Sequence, residues 1–201
     1  MALTPTSKIQ AVNIMLASIG EAPVSSLDDA TLADVSIAES ILDETNVEIQ
    51  SRGLHCNTEI NYPLTPNTDG EIALPANCVS VDTTGQSVTT DVVQRGTRLY
   101  DRGERSFTTF SGTLFVTMVL LLEFTDLPQH VRRYITVKSA RRFQNRILGS
   151  QTLSGFTQAD ENEALLYFEQ LEAQTQDYNV LNDNLTTRKI VNRGVLRRAL
   201  R

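Results

Sequence analysis

The spacing of apolar residues changes character twice along this 201-residue chain, and that alternation limits the folds open to it. Ile9, Val12, Leu16 and Ile19 recur at helical spacing with Met15 beside them, which predicts an amphipathic helix over residues 5–19. From about Asn57 to Glu123 the pattern becomes period two, interrupted by Pro63, Pro66, Pro75 and several glycines, as in a run of short strands. The helical period returns after Leu127. Helical segments on both sides of a strand segment predict an α+β chain: an antiparallel helical bundle of about four helices carrying an inserted small antiparallel β-subdomain. The expected divisions are a helical hairpin (1–56), the β-rich insert (57–125), a second helical pair (126–180), and a hinge with an extended basic C-terminal arm (181–201).

Local signals place the ends of these elements. Thr4 followed by Pro5 suits an N-cap and first helical position. Gly20 stands where a left-handed residue closes a helix, and Pro23 blocks continuation. A phosphate loop needs glycines and usually a Lys-Ser/Thr pair entering a helix after a strand. Here one glycine leaves a helix, so Gly20-Glu21-Ala22-Pro23 reads as the tight turn of a helical hairpin, with Val24 and Leu27 returning apolar groups to the core. Thr31 and Asp34 form a capping box for a second helix, Leu32 to about Arg52, with Val35, Ala38, Leu42, Thr45 and Ile49 as its inner stripe and Gly53 closing it.

The strand candidates are EIALP, CVSVDTT, SVTTDVVQ, RLYDR and GTLFVTMVLLLEF. The last, over Thr113 to Phe124, has a continuous apolar run that predicts burial on both faces, in part by a neighbouring subunit. Leu127-Pro128 opens a third helix, to about Leu148, ended by Gly149. Its apolar residues (Val131, Tyr134, Ile135, Val137, Ala140, Phe143, Ile147) occupy much of its girth, as in a helix packed on several sides. Thr157 with Asp160 predicts the start of a fourth helix, with Leu165, Phe168 and Leu171 inward and an end near Tyr178. NVLNDNLTT then reads as a hinge.

Charge is distributed in blocks. The net charge of −6 conceals a tail from Arg188 that holds Arg188, Lys189, Arg193, Arg197, Arg198 and Arg201 and no acid. Residues 1–187 therefore carry all 24 acids against 12 bases. Six of those bases, Arg132, Arg133, Lys138, Arg141, Arg142 and Arg146, lie on the third helix and are expected at subunit contacts. In the arm the bases are interleaved with Ile190, Val191, Val195, Leu196 and Leu200, a pattern expected to order only against a partner. No window supplies the ~18 apolar residues of a membrane helix. The N-terminus lacks the basic start and apolar centre of a secretion signal. Two cysteines without such a signal point to a reducing compartment and argue against a Cys56–Cys78 disulfide.

Chemistry has few footholds. His55, Cys56, Cys78 and His130 are the only His and Cys residues, and adjacent His55 and Cys56 lack the separated spacing of zinc ligands, so neither metal nor cofactor is expected. No nucleophile elbow occurs. Glu44 with Glu48, and Asp160 with Glu161 and Glu163, could serve a carboxylate-dependent glycan hydrolase, the principal enzymatic alternative. Helix capping and helix-surface roles explain the same residues. A small DNA-binding protein is a second alternative, which the acidic body disfavours.

Taken in order, NIMLASIGEAPVSSL, EIQSRGLHCNTE, RLYDRGERSFTTF, LPQHVRRYITVKSARRFQNRILGS and TQADENEALLYFEQLEAQTQDYN resemble the tail tubular protein A family of short-tailed, podovirus-type bacteriophages, over about Ile9 to Asn179. The resemblance implies a non-enzymatic virion protein, assembled in the host cytoplasm, that forms a twelve-subunit ring beneath the portal protein. Such a ring adapts the portal to the nozzle protein, tail tubular protein B, lies near the tail-fibre attachment, and passes double-stranded DNA without sequence-specific binding. Where the family has an aromatic, typically Trp, after the glycine closing the second helix, this chain has Leu54-His55. The acidic body adds an expectation that channel-facing charge is mostly negative.

Overall fold

The computed structural model describes residues 4–27, 33–149 and 151–175; within the last stretch, the side chains of 151–154 and 156 are not described. The order of elements is α1 (Lys8–Ala17), α2 (Ala33–Gln50), β1 (Thr58–Leu64), β2 (Cys78–Thr83), β3 (Val92–Arg95), β4 (Arg98–Asp101), β5 (Leu114–Leu120), α3 (Gln129–Ile147) and α4 (Gln151–Thr175), with short 3-10 turns at His55–Asn57, Gly85–Ser87 and Phe124–Asp126. Four helices with small antiparallel sheets make this an α+β fold.

The first helix is capped by Ser7, not Thr4. Ser7 accepts from the Gln10 backbone while Gln10 reaches back to the Ser7 N–H, a reciprocal box that satisfies two otherwise orphaned donors. The residues before it lie outside the helix and are tied to α3, where Thr6 N–H donates to Gln129 Oε1 at 2.8 Å and Arg132 donates to the Thr6 carbonyl at 3.0 Å. Gly20, at φ +87°, turns the chain after α1. Asn13 then clamps Val24 from both sides, accepting from its N–H at 2.8 Å and donating to its carbonyl at 3.0 Å. Val24 and Leu27 pack against the helical core. The Thr31 cap of the second helix lies outside the described residues; the inner stripe Val35, Ala38, Leu42, Thr45 and Ile49 is buried throughout.

The third helix is the centre of the bundle. It packs against α1, α2 and α4 at once, so most of its apolar girth is covered by helices of its own chain, Ile147 staying exposed. Val131, Ile135 and Phe143 are fully enclosed, and Tyr134 stacks on Phe168 of α4 with ring centroids 5.0 Å apart. The fourth helix starts at Gln151, which places Thr157 and Asp160 inside it instead of at its cap. The only internal breaker is Gly155, and a helical glycine costs about 1 kcal/mol, too little to end a helix packed on α3.

The strands form two small antiparallel sheets, β1-β5-β2 and the hairpin β3-β4. The sequence pattern missed β1, which contains Pro63. Proline is tolerated there because β1 is an edge strand, and the strand is further broken by a bulge at Asn61, whose φ is +57°. EIALP is not a strand. Its backbone joins the β3-β4 hairpin through a bridge at Ala73 and the bonds Leu74 N to Thr97 O and Leu99 N to Ile72 O, and Glu71 pairs with Arg98, all between the Asn67–Gly70 turn and Pro75. The first half of SVTTDVVQ is likewise turn and 3-10 helix, leaving a strand only from Val92.

Strand β5 is central, and within one chain it is fully buried on one face. Leu114, Val116 and Met118 enter the β core, whereas Phe115, Thr117 and Val119 on the opposite face are half-buried. It also ends at Leu120, after which Leu122 and Phe124 join the helical core. Two apolar clusters result, one among the helices and one among the strands with Leu99 and Met118 at its centre.

Candidate functional site

The six cations of α3 point in several directions and meet different partners. Arg132 donates to the carbonyls of Leu127, Thr125 and Thr6, tying the chain entering α3 to the segment before α1. Lys138 and Arg142 lie one turn apart and both grip Glu48 of α2, Lys138 at 2.8 Å. Arg141 pairs with Glu161 of α4, and Arg146 with Glu44 of α2 at 3.2 Å. Arg133 alone of the six has neither an ion-pair nor a hydrogen-bond partner among the described residues; it lines a groove of about 700 Å³ between α1, α3 and α4, floored by Ile14, Val137, Ala140 and Ala164.

These pairings decide what the carboxylates can do. The Lys138 hydrogen bond, opposed by burial and reinforced by Arg142, holds the Glu48 carboxyl below the usual range. A general acid for glycoside cleavage needs the opposite shift. Glu44 and Glu161 are likewise engaged by arginines, whereas Asp160 and Glu163 are exposed along the α4 side of the groove that Arg133 lines.

The histidines and cysteines are dispersed. Cys78 is buried in the β cluster, its Sγ 3.5 Å from the Ser80 carbonyl, while Cys56 packs against the helical core. Burial, reinforced by Glu172, pushes the Cys56 thiol up to about 11. His130 bonds Glu172 at 3.0 Å, and the other Glu172 oxygen accepts from His55 N–H at 3.0 Å. The described residues contain no group of three or more His, Cys, Asp or Glu side chains able to hold a metal.

The link between sheet and bundle depends on two amides. Gln50, fully buried at the end of α2, donates to the Leu122 carbonyl at 2.9 Å and accepts from the Leu122 N–H at 2.8 Å. Asn57 donates to the Gln50 carbonyl at 3.0 Å and to Leu120 O at 2.8 Å, and its own oxygen accepts from Leu54 N–H at 2.8 Å. Leu54, where an aromatic was expected, is itself buried in the helical core.

A family model described as "Tail tubular protein" matches residues 9–178. The chain belongs to the tail tubular protein family. It is a structural component of a phage virion tail. No curated protein matches it.

For a tail tubular protein the informative surfaces are those left open. On α4 the residues Asp160, Glu163, Leu166, Tyr167 and Gln170 follow one another at helical spacing, and Leu166 is 68% and Tyr167 52% exposed. On the hairpin, the outward face carries Arg95, Arg98 and Tyr100 beside Phe107. Neither surface stood out in the sequence, because exposure of an apolar residue is not written in its spacing. The basic arm, residues 188–201, lies outside the described residues. No described helix is long and apolar enough to cross a membrane.

Proposed function

We propose that this chain is a ring-forming adaptor that joins the portal vertex to the tail nozzle. The family match over residues 9–178 carries the reading. Its action is geometric: twelve copies close beneath the portal, present a seat for the nozzle protein near the fibre attachment, and surround the channel through which double-stranded DNA is ejected. Assembly takes place in the host cytoplasm before the virion is released.

Two features of the chain support such a role. The α4 strip and the hairpin face offer partly apolar, charged surfaces suited to protein contact. The excess of acid in residues 1–187 suits a channel that repels phosphate and so leaves DNA free to slide. The third helix contributes to subunit contact chiefly through Arg133 and the exposed Arg146, since the other four cations are largely occupied within the chain.

The basic arm is assigned to the portal. Six bases interleaved with Ile190, Val191, Val195, Leu196 and Leu200 fit an acidic, partly apolar groove on that partner. Co-sedimentation of the full chain and of a chain ending at Thr187 with the portal of the same phage tests this. The full chain is expected to bind and the truncated chain to fold but stay in solution. Equal binding would remove the arm from the interface, and no binding by either would refute the adaptor.

A further inference from the structure

We propose that the outward face of the β3–β4 hairpin is one half of the contact between subunits, and that it seats on the acidic, partly apolar strip of α4 in a second copy of this chain. The inference deepens the ring reading and rests on it.

The hairpin register places Val93 opposite Tyr100 and Arg95 opposite Arg98, so all four share the outward face, with Val92 and Leu99 buried on the other. Like charges directly across a strand pair repel and destabilise the pairing. Here the repulsion is offset by stacking. The Arg95 guanidinium lies 3.5 Å from the Tyr100 ring centre and the Arg98 guanidinium 4.4 Å from that of Phe107, while the two rings meet edge to face at 5.0 Å. Arg98 is further steadied by Glu71 at 3.0 Å. Arg95 has no carboxylate partner among the described residues. The result is a layer of guanidinium, ring, ring and guanidinium held in place before any partner arrives. Arginine and tyrosine fixed in this way are the residues that dominate protein interfaces.

The charge count favours protein over nucleic acid. Between Asp91 and Phe107 four arginines stand against Asp91, Asp101 and Glu104, and two of the four are already paired, Arg98 with Glu71 and Arg102 with Asp91. Phosphate binding strengthens with the number of free cations, and little free charge is left here. A partner with a few carboxylates beside apolar groups fits better. The α4 strip has that composition: Asp160 and Glu163 lack ion-pair partners among the described residues, and Leu166 and Tyr167 stand exposed beside them. Each copy carries both faces, and the two are unlike. A contact between unlike faces repeats head to tail and closes into a ring when the rotation per copy divides the circle, whereas a twofold dimer needs one face that complements itself.

Charge reversal in the full-length chain, read by sedimentation velocity with the portal present, tests the pairing. Arg95→Glu places an acid opposite Arg98, so the hairpin keeps a favourable cross-strand pair and loss of assembly cannot be ascribed to unfolding. It is expected to raise the concentration for half-assembly at least about tenfold. Asp160→Lys and Glu163→Lys together should do the same, and combining all three changes in one chain should restore assembly. Undiminished rings with Arg95→Glu, or no restoration in the combined chain, overturn the inference and leave the ring standing. A wild-type chain that never assembles overturns both. Loss of DNA retention without loss of assembly would assign the hairpin to DNA instead. An effect of the α4 reversals that matches truncation at Thr187, with none from Arg95→Glu, would assign the strip to the arm.

Discussion

Replacing Gln50 with alanine removes the clamp that joins the β-rich segment to the helical bundle. The Gln50 amide satisfies both backbone groups of Leu122, at 2.9 and 2.8 Å, and also donates to Asn46 at 2.9 Å. Alanine leaves the Leu122 N–H and carbonyl without partners in a partly buried site, at about 1–3 kcal/mol each. It also empties the volume of a side chain that has no exposed surface, and the combined loss is about 3–5 kcal/mol. Against a total stability of about 5–15 kcal/mol that is a severe change. Urea unfolding measures it directly, and hydrogen exchange localises it: protection of the Leu122 amide should fall before that of α3. Gln50→Glu keeps the shape but sets a carboxylate against the Leu122 carbonyl. Its pKa should rise on folding, so the penalty is full above that raised value and absent below the ordinary glutamate value of about 4.3. A loss under about 1 kcal/mol for the alanine variant, with unchanged protection at Leu122, would refute the reasoning.

Glu48 predicts acid sensitivity of the α2–α3 contact. Because Lys138 and Arg142 depress its pKa, its stabilising contribution is present above the ordinary glutamate value and is lost as pH falls through the lower folded one; Glu48→Gln should flatten the acid limb of a melting-temperature profile. Glycine at 70 is required for two reasons, a φ of +76° and a Cβ that would lie 2.6 Å from the Thr108 carbonyl oxygen. Gly70→Ala should therefore lower the melting temperature well beyond Gly96→Ala, whose φ is +63° but whose Cβ meets nothing within 4 Å; equal shifts would contradict the geometry. The Cys56 thiol, pushed up to about 11 by burial and Glu172, should react with iodoacetamide at pH 8 far more slowly in the native chain than in urea, as followed by mass spectrometry.

The helices were legible because their signals are local and redundant. The α2 stripe from Val35 to Ile49, the left-handed Gly20 and Gly149, and the Leu127-Pro128 entry to α3 each announce themselves within a few residues. Errors arose where two local signals competed or a distant one decided. Thr4-Pro5 lost to Ser7 because Gln10 completes a reciprocal box and Gln129 and Arg132 engage the Thr6 backbone. The box suggested by Thr157 and Asp160 was overridden by packing of α4 on α3 over a longer span. Strand β1 was hidden by Pro63, which only its edge position makes acceptable. The ion pairs of α3 and the Gln50–Asn57 amides join residues far apart in sequence, so no spacing pattern could reveal them. The two exposed faces were hidden for another reason, that exposure is not written in spacing: the sequence shows Arg95 and Arg98 as charges, whereas the fold aligns them with Tyr100 and Phe107 on one surface.

The central claim is that this tail protein acts by forming a ring on the portal. Light scattering of the purified chain, alone and then mixed with the portal of its phage, tests that claim most directly. The account predicts a discrete closed assembly on the portal, with a protein mass of about twelve subunits, as heterologous contacts that close would produce. A chain that stays monomeric and does not associate with the portal would contradict it.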